Sequence, residues 1–125
     1  MLERRTPLVF VVDDEEIIAS TIALVLNTSG FRAVAYTSAV EAMQAAESGS
    51  PSLLLTDVNM PEMSGIDLAI QFRAAHPHCK TLLLSGHLAT GDLLEMARTK
   101  GHDFQILAKP LHPDELLASI REAIV

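Results

Sequence analysis

Short apolar runs alternate with longer amphipathic segments along this chain. Leu8 to Val12 is a continuous, largely β-branched run of the kind that forms a strand buried on both faces, and Leu53 to Leu55 and Leu82 to Leu84 repeat the type. Arg32 to Tyr36 and Phe104 to Ala108 read as further strands, which makes five. The segments between them carry helix signals. Ile18, Ile22, Val25 and Leu26 share one helical face, and Gly30 supplies the left-handed stop. Ser38 with Glu41 is a capping-box pair, and Gly49 with Pro51 closes that helix. A third helix is expected from about Gly65 to Ala75, stopped by His76-Pro77, and a fourth from Gly91 or Asp92 to Lys100, stopped by Gly101. Pro113 opens a fifth, with Asp114 and Glu115 at its positive end and Leu116, Leu117, Ile120 and Ile124 on one face.

Strand then helix, five times over with short connections, predicts an α/β fold. Right-handed crossovers return each strand parallel to the last, giving a doubly wound (βα)5 sheet with helices on both faces. The expected organisation is one domain over residues 1–125, its core from about residue 8 and residues 1–7 an N-terminal extension, with no output domain in this chain.

On this frame the polar residues collect at one end of the sheet. Asp13 and Asp14 follow the first strand, Asp57 ends the third, Ser85 the fourth and Lys109 the fifth. All are carboxyl ends, where open α/β sheets form their ligand crevice. Three carboxylates in one cleft repel unless a cation joins them, and an all-oxygen donor set favours Mg²⁺ or a similar hard ion. The three aspartates, the Lys109 ammonium and a divalent ion sum to zero charge. A phosphoryl group would then meet the metal, the ammonium and the Ser85 hydroxyl, with one carboxylate left as nucleophile. Asp57 is that carboxylate, because it stands alone at a central strand end facing the acidic pair.

Composition narrows the alternatives. Nine Lys and Arg against 16 Asp and Glu give a net charge of −7, and the basic residues are scattered, so direct nucleic-acid binding is not expected. With Cys79 as the sole cysteine no internal disulfide can form, which fits a cytoplasmic location. Leu8 to Val12 is too short for a signal sequence, and no stretch approaches the roughly 20 apolar residues of a membrane span. Phosphate-loop, dinucleotide and esterase motifs are missing. His76-Pro77-His78-Cys79 sits in a turn at the opposite end of the sheet and is not expected to bind metal, and Met43, Met63 and Met96 read as packing residues.

Four motifs carry a family resemblance: Val11-Val12-Asp13-Asp14-Glu15, Asp57 through Pro61 to Gly65, Leu84-Ser85-Gly86, and Ala108-Lys109-Pro110. From Leu8 to Val125 the chain resembles the receiver domains of two-component response regulators. That resemblance implies a flavodoxin-like sheet of order 2-1-3-4-5. It implies that Asp57 is the phosphoacceptor, and that Asp13, Asp14, Asp57 and the backbone carbonyl of Asn59 hold Mg²⁺ (or Mn²⁺). Ser85 takes the Ser/Thr switch position and Lys109 binds the phosphoryl group. The implied donor is a sensor histidine kinase or phosphotransfer protein, and the implied recipient of the signal is an effector protein or an output domain outside this chain. The only catalysis implied is of the domain's own phosphorylation and dephosphorylation. A cis Lys109-Pro110 peptide is implied as well, and His87 would overhang the phosphoryl group and tune its lifetime, the alternative being a solvated loop histidine.

One position departs from the family. Where receivers carry Tyr or Phe three residues before the lysine, this chain has Ile106, and Phe104 shares its strand face two residues away. Two other readings stay open: an aspartate-nucleophile phosphatase, disfavoured by Asn59 where those enzymes carry a second acid, and a receiver-shaped interaction module that works without phosphate.

Overall fold

The computed structural model describes residues 6–86, 95, 98, 99, 101, 102, 104–109 and 112–124. Its elements are β1 (Leu8–Val12), α1 (Glu16–Asn27), β2 (Arg32–Tyr36), α2 (Ala39–Ser48), β3 (Leu53–Asp57), α3 (Gly65–Ala75), β4 (Lys80–Ser85), β5 (Gln105–Ala108) and α4 (Pro113–Ile124). All strand pairs are parallel, and the sheet order is β2-β1-β3-β4-β5. The expected α/β architecture and strand order are therefore observed. In the fourth expected helix Glu95, Arg98 and Thr99 are helical, while the rest of that segment, with His87 and Pro110, lies outside the described residues.

Strand alternation sorts the core into two faces. Val9 and Val11 of β1, Leu53 and Leu55 of β3, and Leu82 and Leu84 of β4 point to the side covered by α1 and α4, where Ala19, Ala23, Leu26, Leu116 and Ile120 meet them. Phe10, Val12 and Leu54 point to the other side, against Ala39, Ala42 and Ala46 of α2 and Leu68 and Phe72 of α3. A third cluster of Val58, Ile66, Ala69, Leu83 and Phe104 extends that face toward β5. Truncating a fully buried Leu54 or Ile120 to Ala would cost about 2–5 kcal/mol.

Two local expectations shift. The face that α1 buries is centred on Ala19, Ala23 and Leu26, with Ile18, Ile22 and Val25 half-buried at its margin and Ile17 and Leu24 in solvent. Small alanines let the helix axis approach the sheet, so they take the centre that hydropathy alone assigns to isoleucine. Strand β5 begins at Gln105, because Phe104 is buried in the third cluster but stands outside the ladder, whose first partnership is Leu82 with Gln105.

The helix ends follow the sequence. The Ser38 hydroxyl accepts from the Glu41 amide at 3.4 Å, the Ser64 hydroxyl accepts from the Asp67 amide at 3.1 Å, and Gly30 takes φ of 95° just beyond α1. The Asn27 side chain pairs with both the amide and the carbonyl of Ala33, at 2.8 and 3.0 Å. These groups point away from β1 on the sheet's edge strand, so Asn27 blunts an edge that would otherwise invite strand pairing.

Candidate phosphoacceptor site

The site is assembled by residues one step past, or at, the ends of three strands. The ladder continues beyond the strands through single backbone bonds: the Asp13 amide donates to Tyr36 O at 3.1 Å, the Val58 amide to Leu84 O at 3.0 Å, and the Lys109 amide to Ser85 O at 3.0 Å. These bonds fix the backbones that carry the charged side chains. By alternation Asp13, Asp57 and Lys109 share the parity of Val11, Leu55 and Leu107, so all three project toward the side of the sheet covered by α1 and α4.

Lys109 Nζ lies 3.0 Å from Asp57 Oδ1 and 3.1 Å from Asp13 Oδ2, bridging two carboxylates that are nearly buried. The second oxygen of Asp13 is held as well, accepting from the Glu15 amide at 3.0 Å. Asp14 is exposed, yet one carboxylate oxygen each from Asp13, Asp14 and Asp57 fall within 4.8 Å of one another. Among the described residues this is the only group of three or more His, Cys, Asp and Glu side chains so placed. The set offers oxygen donors alone, which suits a hard divalent cation of the Mg²⁺ type. His76, His78 and Cys79 belong to no such group among the described residues, and the buried Cys79 thiol is pushed up to about 11 by burial.

Electrostatics follow from this geometry. Burial pushes the Asp57 carboxyl above its ordinary value, and the charges of Asp13 and Asp14 push it the same way, while Lys109 pulls against them. Burial alone would lower Lys109, but its hydrogen bonds and charge contacts with Asp57 and Asp13 outweigh it and hold the ammonium above its ordinary value. Lys109 is therefore charged across the whole neutral range.

The remaining predicted residues lie at the rim. Ser85 is buried at the end of β4, across the ladder from Ala108 and bonded through its carbonyl to Lys109. Asn59 is exposed, two residues past Asp57 in the β3–α3 loop. Two residues that sequence reasoning did not single out for the site support Asp57 from behind. The buried Thr56 hydroxyl donates to Asp57 O at 3.0 Å, and Gly65, read from sequence as a helix start, lies so close that a Cβ there would collide with the same carbonyl oxygen. The Gly65 amide also donates to Val58 O at 2.8 Å. Only the absence of a side chain at position 65 permits this approach, a signal visible in sequence as a glycine directly after the Ser64 cap.

A family profile described as response regulator receiver domain matches residues 9–121. The transcriptional regulatory protein CreB of Escherichia coli is 30% identical over 120 residues, covering 96% of this chain and 51% of that protein. The DNA-binding transcriptional regulator NtrC of the same organism is 31% identical over 117 residues, covering 94% of this chain and 24% of NtrC. The chain thus spans about half or less of these relatives' length. Among solved structures, a response regulator receiver domain protein from Clostridium thermocellum superposes with a TM-score of 0.83 at 28% identity, covering 94% of both chains. The signal receiver domain of an HD domain-containing protein from Pseudomonas fluorescens Pf-5 gives 0.86 at 26% identity, covering 96% of this chain and 95% of that one.

Proposed function

The chain belongs to the response regulator receiver domain family, and from that premise we propose that it is a phosphoacceptor switch in which Asp57 receives a phosphoryl group from a phosphohistidine. The observation that carries this reading is the Lys109 ammonium bridging Asp57 and Asp13 at 3.0 and 3.1 Å inside a cluster of three carboxylates. In the transfer a carboxylate oxygen of Asp57 attacks phosphorus, the new O–P bond forms as the N–P bond breaks, and the electron pair leaves on the donor's imidazole nitrogen. The acyl phosphate that results carries about two negative charges beside the two remaining carboxylates, Asp13 and Asp14.

Lys109 is placed to follow that charge, since its ammonium already touches Asp57 and can pass from carboxylate to phosphoryl oxygen. Asp13, Asp14, Asp57 and the Asn59 carbonyl would hold Mg²⁺, which when bound neutralises charge developing on the phosphoryl oxygens. Ser85 would offer its hydroxyl to the same group, and the shift in its contacts and those of Lys109 would move the domain between two states that a partner distinguishes. A protein donor suits the surface. Ile17 and Leu24, seven residues apart on one face of α1, are 82% and 64% exposed, and this strip starts three residues after Asp14. The recipient of the signal is an effector protein or an output domain beyond this chain.

The test is labelling of the purified chain with acetyl phosphate in Mg²⁺. Wild type should incorporate one acid-stable, base-labile phosphoryl group and Asp57→Asn none, with the circular dichroism spectrum unchanged. Stoichiometric labelling of Asp57→Asn would overturn the assignment.

A further inference from the structure

We infer that the cleft between the C-terminal halves of α2 and α3 binds a small aromatic ammonium, a single ring joined by a short chain to a primary amine. The inference is independent of the phosphoacceptor reading. Both helices run back from the carboxyl ends of parallel strands, so this cleft lies toward the end of the sheet away from Asp57.

Pairs of residues one helical turn apart build it. Met43 and Glu47 of α2 form one wall, Gln71 and Ala75 of α3 the other, and Phe72, with the α3 cap residue His76 beside it, closes the bottom. Phe72 is seated in the core against Phe10, with 6.4 Å between ring centroids, and the His76 ring stands 5.5 Å from it at 47°. The α3 wall does not close over them. Ala75 ends at its Cβ, and the Gln71 amide is drawn to the Met63 sulfur at 3.7 Å. The space left is about 190 Å³.

Size and lining select the ligand. A cavity of about 150 Å³ with apolar walls holds a benzene ring, so this one takes a ring with a short chain attached. The Met43 thioether and the Phe72 and His76 rings are groups that pack well on aromatic faces and edges.

Charge selects the chain's end. Glu47 is exposed in the last turn of α2, and among the described lining residues it is the only carboxylate, with no lysine or arginine beside it. Both helices end here, so the negative ends of their dipoles add to the Glu47 charge. The last turn of α2 carries no basic residue, and the Arg73 guanidinium in the last turn of α3 lies over the Phe104 ring, in a different cluster from Phe72. An ammonium is favoured at this rim and can donate to the Glu47 carboxylate, whereas an anion is opposed. A second copy of this chain, with its net charge of −7, suits the rim poorly.

The experiment titrates the full chain with 2-phenylethylamine at pH 8, where imidazoles are neutral, and follows backbone amide shifts by NMR. The amides of residues 43–47 and 71–76 should move saturably, with a Kd on the order of 1 mM for so small a ligand. Butylamine, which lacks the ring, and 2-phenylethanol, which lacks the charge, should each bind at least about threefold more weakly. In Glu47→Gln the preference for the amine over the alcohol should vanish. Ala75→Leu, an exposed helical position given a good helix former, fills the cleft and should weaken the amine at least about tenfold. No saturable shift of these amides up to about 10 mM amine overturns the inference. So does equal binding of the alcohol or of butylamine, or an amine preference that survives in Glu47→Gln. Shifts of the same amides on dilution of ligand-free protein would mean that a second copy covers the cleft, and would overturn it too. If Ala75→Leu does not fold, the amine-to-alcohol ratio in wild type and Glu47→Gln decides the question by itself.

Discussion

A methyl group at position 65 would have no room. A Cβ built on Gly65 stands 2.8 Å from the Asp57 carbonyl carbon and 3.0 Å from Val58 Cα, and nearer still to the Asp57 oxygen. Ordinary contact begins at 3.4 Å, so relief of the carbon alone, 3.4 against 2.8 Å, parts the two backbones by about 0.6 Å, and the oxygen demands more. None of these atoms is the free end of a side chain, so the strain falls on the backbone of the nucleophile. Overpacking of this kind costs about 1–3 kcal/mol, and stretching the Gly65 to Val58 hydrogen bond adds up to about 1 kcal/mol. Alanine's helix propensity returns at most about 1 kcal/mol. The net loss for Gly65→Ala is about 2 kcal/mol, which lowers Tm by roughly 6–10 °C in a domain of this size.

The same displacement should reach the chemistry, because a misplacement near 1 Å costs reacting groups about 100-fold. For about 0.6 Å we expect Asp57 labelling by acetyl phosphate to slow on the order of tenfold. Gly49→Ala is the control, since Gly49 has extended backbone and nothing within 4 Å of its Cβ direction. Thermal melts followed by circular dichroism, with labelling rates on the same samples, give both quantities. Equal melting temperatures for the two variants, or wild-type labelling by Gly65→Ala, would refute the steric argument.

Other expectations follow from the site's charges. Because burial raises Asp57 in the folded state, the metal-free fold holds its proton to higher pH than the unfolded chain does, and stability falls as pH rises through the carboxylate range. Asp57→Asn should lose this part of the slope and resist urea better than wild type at pH 7 in EDTA; a less stable variant there would contradict it. Lys109→Met leaves Asp13 and Asp57 without their shared cation and should cost about 1–3 kcal/mol, less than for a fully buried pair because a quarter of the Lys109 side chain is exposed. Added Mg²⁺ should recover part of that loss in a thermal melt, and an unchanged Tm in EDTA would count against the bridge. Lys109 itself, raised on folding, should stabilise the fold at neutral pH and lose that contribution as pH climbs past its ordinary value. Cys79, pushed up to about 11, should react with iodoacetamide at pH 8 only after denaturation, and equal rates in native and denatured protein would show the thiol to be accessible.

What the sequence made legible, and what it hid, divides along a physical line. Runs such as Leu8 to Val12 declare themselves because a strand buried on both faces needs every side chain apolar, and the end of such a run locates Asp13 and Asp57 without knowledge of register. Contacts across the chain leave no local trace. The bridge from Lys109 to Asp13 joins residues 96 apart, and its geometry exists only once β1, β3 and β5 are aligned. Close approach is hidden for a similar reason, since Ala19 and Ala23 rank low in hydropathy yet occupy the centre of the α1 contact, and Gly65 matters for the atom it lacks. The start of α4, where the Asp114 amide donates to His112 Nδ1 at 3.2 Å, was illegible because histidine is not among the residues that favour helix starts.

The same distinction bears on Ile106. In sequence it is a departure from the family's aromatic, with no polar tip to swing between buried and exposed positions. In the fold it packs against the cluster that holds Phe104, Leu83 and Val58, and Val58 is the residue bonded directly to Asp57. From Asp57 through Val58 to Ile106 the chain is thus connected by packed apolar contacts. Phe104 lies at the end of that path, with Arg73 of α3 over its ring at 4.2 Å from the centroid.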